Sequence, residues 1–274
     1  MDEVISSFAN PTVKRVRQLA DRKYRRRTGS FVVEGLQPVW RAVTSGWPVD
    51  TLIVAPELLT NEPSRRMVDQ QRAAGVRVVL VSREVFAHLS DREGPAGLAA
   101  IVRAVLPDLS SITERLARSP ADPVVVLYRA GNPGNIGTIL RTADAAGAAG
   151  LILVGDTADP FAPAAVKASM GSLFAVPIGA VRGPDELFGW AAAAGRPVLA
   201  VTGSARRSLW DGPLDGGSVL LLGSEGAGVP QDLVDRCDDA VAIPMQGTAE
   251  SLNLSTAAAV LLYELQRRRH LPPG

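Results

Sequence analysis

Residues 123–143 read PVVVLYRAGNPGNIGTILRTA. The apolar run Pro123–Tyr128 has the length and β-branched character of a buried strand, and a helical pattern follows from Gly137. Glycines 131, 134 and 137, asparagines 132 and 135, and then Arg141 occupy the hand-over between them. Such a junction offers backbone that can approach a ligand closely, amides that hydrogen-bond, and one fixed positive charge. Outward from it, strands are predicted at 124–128, 151–154, 197–202, 218–222 and 240–243, and helices at 137–147, 162–170, 185–194, 230–236 and 251–268. Alternation with near-continuous apolar strands predicts an α/β fold with a parallel sheet covered on both faces.

A second module precedes it. A basic helix is predicted over residues 8–27, then strands at 30–34, 51–55, 76–81 and 97–103 alternating with helices at 36–45, 63–74 and 82–90. The predicted organisation is a small α/β domain at 1–106, a connector holding a short helix at 107–122, and a larger α/β domain at 123–274.

The 274 residues, 46% hydrophobic and 21% charged, are the composition of an ordinary globular chain. The acidic start lacks the apolar core of a signal peptide, and no apolar run approaches the ~18 residues needed to cross a bilayer, so the expected compartment is the cytoplasm, with no membrane partner. One cysteine, Cys237, and two histidines, His88 and His270, exclude an intrachain disulfide and leave a Cys/His metal site without ligands, so no metal is expected. Cys237 stands in DRCDD with no activating pattern and reads as a packed thiol. The net charge of +1 conceals a dense basic run: Lys14, Arg15, Arg17, Arg22, Lys23, Arg25, Arg26 and Arg27 against Asp21 alone. Clustering of one sign attracts a polyanion through counterion release, so Lys14, Arg15, Arg22, Lys23, Arg25, Arg26 and Arg27 are candidate RNA contacts.

Three glycine-bearing loops follow predicted strands in the larger domain: 131–137, 222–228 (LGSEGAG) and 243–255 (IPMQGTAESLNLS). In open parallel sheets, ligands bind beyond the carboxyl ends of strands, where such loops gather. No phosphate-loop Gly-Lys-Ser/Thr pattern exists, which removes nucleotide hydrolysis. Taken together and in this order, NPGNIGTILRTA at 132–143, LGSEGAG at 222–228, and IPM at 243–245 with SLNLS at 251–255 resemble the three signature motifs of the SpoU/TrmH family of the SPOUT superfamily, RNA ribose 2′-O-methyltransferases. KASMGSLF at 167–174 is similar to the family's linking segment, and FVVEG at 31–35 to the ribosomal-protein-like RNA-binding domain that many members carry. Asn132, Leu254 and Thr256 depart from the commonest family residues without removing a polar group of the site.

The resemblance implies a C-terminal SPOUT α/β-knot with a deep trefoil, S-adenosylmethionine as cofactor, and a homodimer with the active site near the subunit interface. Carried over position by position, it implies Leu222, Gly223, Ser224, Ile243, Met245 and Leu252 as cofactor contacts. It implies Asn135, Arg141, Glu225, Ser251 and Asn253 as the catalytic group. The family arginine matching Arg141 has been proposed as a general base; a guanidinium does not ordinarily deprotonate, so the residue chemistry favours a phosphate clamp that polarises the 2′-hydroxyl. The expected substrate is large-subunit (23S) ribosomal RNA, with antibiotic resistance as one role such methylation serves; a tRNA 2′-O-methyltransferase and a non-catalytic RNA-binding or assembly factor are the alternatives.

Overall fold

The computed structural model describes residues 3–105, 108–212, 214 and 216–270. The chain divides into two units. One holds the chain up to Val105 together with Phe161–Ala175; the other holds Leu106–Pro160 and Val176 onward.

In the first unit the strands are β1 (Ser30–Glu34), β2 (Val49–Val54), β3 (Arg77–Leu80) and β4 (Leu98–Arg103). They pair in the order β1-β4-β2-β3, with β4 antiparallel to both neighbours and β2 parallel to β3. The helices are α1 (Pro11–Gln18), α2 (Arg22–Thr28), α3 (Leu36–Thr44), α4 (Glu62–Ala73) and α5 (Arg83–Leu89). The single basic helix expected over 8–27 is two helices. The first ends at Gln18 with Leu19 as its C-cap, and Asp21 caps the second, its carboxylate accepting from Tyr24 N at 2.9 Å. A core of Val13, Val16, Ile53, Val85, Phe86 and Ile101 fills one side of the sheet.

In the second unit α6 (Leu109–Arg118) precedes β5 (Val124–Tyr128), α7 (Pro133–Ala146) and β6 (Gly150–Val154). Next comes α8 (Pro163–Ser169), which with a short 3₁₀ turn at Ser172–Phe174 belongs to the first unit. Phe161 and Phe174 pack there on Phe31 and Trp47, with ring centroids 4.7–6.2 Å apart. The second unit resumes with β7 (Ile178–Val181), α9 (Pro184–Ala193), β8 (Val198–Val201), β9 (Arg207–Ser208), β10 (Val219–Leu222), α10 (Gln231–Val234), β11 (Asp239–Ala242) and α11 (Leu254–His270).

The seven strands pair in the order β7-β6-β5-β10-β8-β11-β9, every pairing parallel, as the alternation predicted. β5, β6 and β10 are apolar throughout because both their faces are covered. The expected connector at 107–122 needs correction. Its boundary at 106–107 lies outside the described residues, but α6 buries Ile112 and Leu116 in the second unit's core. A Cβ at Gly150 would stand 2.7 Å from Ile112 Cγ1, so α6 sits directly on β6. No helix of the described residues is long and apolar enough to cross a membrane.

Candidate active site

The register of the sheet brings four strand ends level. Leu222 pairs with Leu127 on one side and Val201 on the other, and Val201 pairs with Val241. The loops that leave these ends are 129–132, 202–206, 223–230 and 243–253, and they hold part of each of the three glycine-bearing stretches.

The opening junction now has its geometry. Asn132 caps α7, its side-chain oxygen accepting from Gly134 N at 2.8 Å and Asn135 N at 3.4 Å, and Pro133 takes the first helical position, where no N–H is needed. The helix therefore starts four residues before the expected 137. This places Asn135 in the first turn, buried, with its Nδ2 donating to Glu225 Oε1 at 2.8 Å. Gly131 N donates to the other carboxylate oxygen at 3.3 Å. Burial alone would raise the Glu225 carboxyl. The Asn135 amide and the backbone N–H groups of Glu225, Gly131 and Asn132 outweigh it and hold the group below the usual carboxylate range.

The loop after β10 curls on itself, with Gly228 N donating to Ser224 O at 3.0 Å. A Cβ on Gly223 would fall 1.9 Å from the Gly228 backbone, so only glycine lets these strands of loop touch. Against this loop lies a cavity of about 350 Å³, whose lining includes all six expected cofactor positions: Leu222, Gly223, Ser224, Ile243, Met245 and Leu252. Glu225 and Ser251 also line it. Asn135 reaches the cavity through its bond to Glu225. Asn253 stands at the start of α11, where its Oδ1 accepts from Ser255 N at 2.9 Å and Ser255 Oγ at 2.7 Å; its Nδ2 is what remains for a ligand.

Arg141 does not join them within one chain. It is exposed on α7 and absent from the cavity lining, because six residues of helix turn it roughly 120° away from Asn135. Sequence reasoning also missed Val201, Thr202 and Gly203, which wall the cavity from the end of β8, and Glu250, Leu254 and Ala257 beside the third loop.

In the basic run, Lys14, Arg22, Lys23, Arg26 and Arg27 are exposed. Arg15 is half-buried and pairs with Asp50 at 2.8 Å. Arg25 is a correction: it is 6% exposed and its Nη1 donates to Leu19 O and Ala20 O at 2.9 and 2.8 Å, closing the turn between α1 and α2. Its guanidinium serves the fold and is not offered to RNA. Cys237 is the packed thiol expected: burial first, then Asp238, pushes it up to about 11.

A parallel sheet whose strand-end loops gather around a cavity lined by Leu222, Ile243 and Leu252 together with Glu225 and Glu250 is the arrangement in which α/β enzymes hold a ligand. The chain belongs to the SpoU rRNA methylase family, whose model matches residues 122–263, and residues 10–100 match the MRM3-like substrate binding domain. Members of this family transfer a methyl group from S-adenosylmethionine, and the chain is a methyltransferase of that fold. It is similar to the 23S rRNA (uridine(2479)-2′-O)-methyltransferase of Streptomyces viridochromogenes, 36% identical over 258 residues that cover 92% of this chain and 87% of that protein. It is also similar to the 23S rRNA (guanosine(2553)-2′-O)-methyltransferase RlmP of Bacillus subtilis, 32% identical over 272 residues, 96% of this chain and 98% of that one. Among solved structures, the AdoMet-bound rRNA methyltransferase from Sinorhizobium meliloti superposes with a TM-score of 0.85 at 35% identity, covering 98% of this chain and 99% of that one. The family read from the three loops, and the two-domain reading with a substrate-binding module in front, are therefore correct.

Proposed function

We propose that the protein methylates the ribose 2′-oxygen of one nucleotide in 23S ribosomal RNA, as a homodimer in the cytoplasm. The observation that carries this is the single cavity on which loops 222–228 and 243–254 converge. Leu222, Ile243 and Leu252 suit an adenosine in that cavity, main chain at Gly223 suits its polar edge, and Glu225 and Glu250 suit the positive sulfonium. Bound there, S-adenosylmethionine supplies an electrophilic methyl group and needs no metal.

What the chain must then do is align a hydroxyl with that methyl and ease its proton away. Alignment alone can contribute up to ~7–11 kcal/mol. Asn135 holds Glu225, and Glu225 holds Gly131, so hydrogen bonds tie the first and second loops together at one edge of the site. Ser251, in the cavity lining, and Asn253 Nδ2, at the start of α11, are the groups assigned to hold the ribose. The proton leaves through the target phosphate or water, with Arg141 clamping that phosphate. Arg141 arrives from a second copy of the chain: its exposure on α7, together with Tyr263, 52% exposed on the α11 that packs against α7, supports a dimer face there. The front unit, through Lys14, Arg22, Lys23, Arg26 and Arg27, binds the RNA.

The test is transfer of tritium from labelled cofactor to 23S rRNA, nucleoside analysis for a 2′-O-methyl product, and primer extension at low dNTP to map it. No incorporation into any RNA refutes the catalytic reading, and incorporation into tRNA alone refutes the substrate. An Arg141→Lys variant whose rate rises with pH through a lysine-like pKa, approaching wild type, would refute the clamp in favour of a base. A mapped nucleotide within an antibiotic-binding centre predicts reduced susceptibility of an expressing strain to that drug.

A further inference from the structure

A second cleft lies wholly in the first unit, between α1, β1, α5 and α8, with a volume of about 390 Å³. That is within the roughly 300–1,000 Å³ range of small-molecule sites. Val16, Val32 and Leu89 give it apolar walls. α8 supplies Val166 and Lys167 from the stretch matched to the methylase model, while the other walls come from the stretch matched to the substrate-binding model.

Its polar groups are unusual for a surface that meets a polyanion. Arg17 and Lys167 stand exposed at the rim, and Lys167 Nζ donates to Asp91 O at 3.4 Å. Glu34, half-buried at the end of β1, accepts from Ser90 Oγ and makes no ion pair among the described residues. Arg92 lines the same cleft, and a Cβ on Gly35, the residue after Glu34, would be 3.2 Å from its Nη1. Phe8, 50% exposed, meets the ring of His88 edge-to-face at 4.8 Å, and His88 lines the cleft.

A carboxylate with one hydroxyl donor and no ion pair among the described residues, in a cleft that Arg17 of α1 also lines, repels RNA unless it accepts hydrogen bonds from a base. Guanine alone presents two adjacent donors on its Watson–Crick edge, N1–H and the 2-amino group, beside an acceptor, O6. Adenine, cytosine and uracil each place an acceptor where guanine has a donor. A carboxylate flanked by a guanidinium is the complement of the guanine edge.

We propose that this cleft captures one unstacked guanine of the RNA that the enzyme methylates. Glu34 accepts from N1–H and the 2-amino group, Arg92 donates to O6, Arg17 and Lys167 meet the flanking phosphates, and the Phe8–His88 pair stacks a neighbouring base. The proposal rests on the RNA-methyltransferase reading and gives the front unit a sequence-reading role in addition to charge attraction.

The experiment is fluorescence anisotropy of the full chain, at low salt, with labelled short oligouridines carrying one central guanosine, inosine, adenosine or uridine. Guanosine should bind about tenfold or more tighter than adenosine or uridine, and inosine, lacking the 2-amino group, should lose most of that advantage. Glu34→Gln keeps the side-chain size and an acceptor for Ser90, so it should erase the preference while melting temperature and cofactor affinity stay at wild type. Equal binding of all four oligomers, or a preference that survives Glu34→Gln, overturns the proposal. Free guanosine monophosphate competing as well as the guanosine oligomer also overturns it, because the ligand would then be a nucleotide and not RNA. Methyl transfer to 23S rRNA, measured in parallel, separates the two failures. Transfer without guanine preference overturns the cleft alone, and guanine preference without transfer overturns the catalytic reading alone.

Discussion

Replacing Glu225 by glutamine removes one negative charge and turns one of two acceptor oxygens into a donor. Oε1 accepts from Asn135 Nδ2 at 2.8 Å and Oε2 from Gly131 N at 3.3 Å, so glutamine can satisfy one of these and must face the other with N–H against N–H. A hydrogen bond to a charged group contributes about 1.5–3 kcal/mol in general. Glu225 is exposed, and solvent screening brings the loss toward about 1 kcal/mol. Methyl transfer should therefore fall by about fivefold at saturating cofactor and RNA. Asn135→Ala should fall similarly, and the double variant should be no worse than the poorer single one, because both break the same link. Initial rates of tritium transfer read all three. Losses that multiply in the double variant would refute the idea that the two side chains act as one unit. The pH sign is also fixed. Glu225 is held below its ordinary value of 4.5, so its contribution is present above that value and is lost as pH falls through the lower folded value. Between about pH 6 and 8.5 the ratio of wild-type to Glu225→Gln rates should stay constant.

Arg26→Glu should weaken RNA binding and lower the slope of log affinity against log salt by about 1 or more, whereas Arg25→Ala should leave the slope alone and lower the melting temperature, since Arg25 bonds Leu19 O and Ala20 O. Cys237, with its thiol pushed up to about 11, should resist alkylation by iodoacetamide at pH 8 in the folded protein and react after denaturation. Glu264, 6% exposed on α11, is held at about 2 by hydrogen bonds from Arg267 first and then, against the cost of burial, from Arg268. Its depressed value means stability that is full above 4.5 and lost as pH falls toward 2, up to about 3 kcal/mol, so urea midpoints should drop more steeply there in wild type than in Glu264→Gln.

The strands of the larger sheet were legible because burial on both faces writes itself as continuous apolar runs. β7 was not, since Ile178–Val181 is an edge strand built with Gly179 and an exposed Ala180 and carries little β character. The start of α7 was misplaced because Asn132–Pro133 reads equally as loop and as cap with first helical residue; only the bond from Gly134 N to Asn132 decides. Within the cavity, residues on the glycine-bearing loops were found and Val201–Gly203 were not. Their place in the wall depends on β8 lying beside β10, and strand order is not a local property of sequence. Arg25 shows the same limit: a run of like charges announces a partner but not which member turns inward. The position of Arg141 was open to simple helix arithmetic from Asn135, which sets it on another face of α7.

Calorimetry with S-adenosylmethionine, on the wild-type chain and on Leu252→Trp, tests the placement of the cofactor most directly. Leu252 lines the cavity from the third loop, and an indole there fills the volume while leaving Gly223 and the sheet untouched. One site per chain, weakened at least about tenfold by Leu252→Trp with an unchanged melting temperature, is the predicted result. Absence of binding to the wild type, or binding of the variant at wild-type strength, would contradict the account.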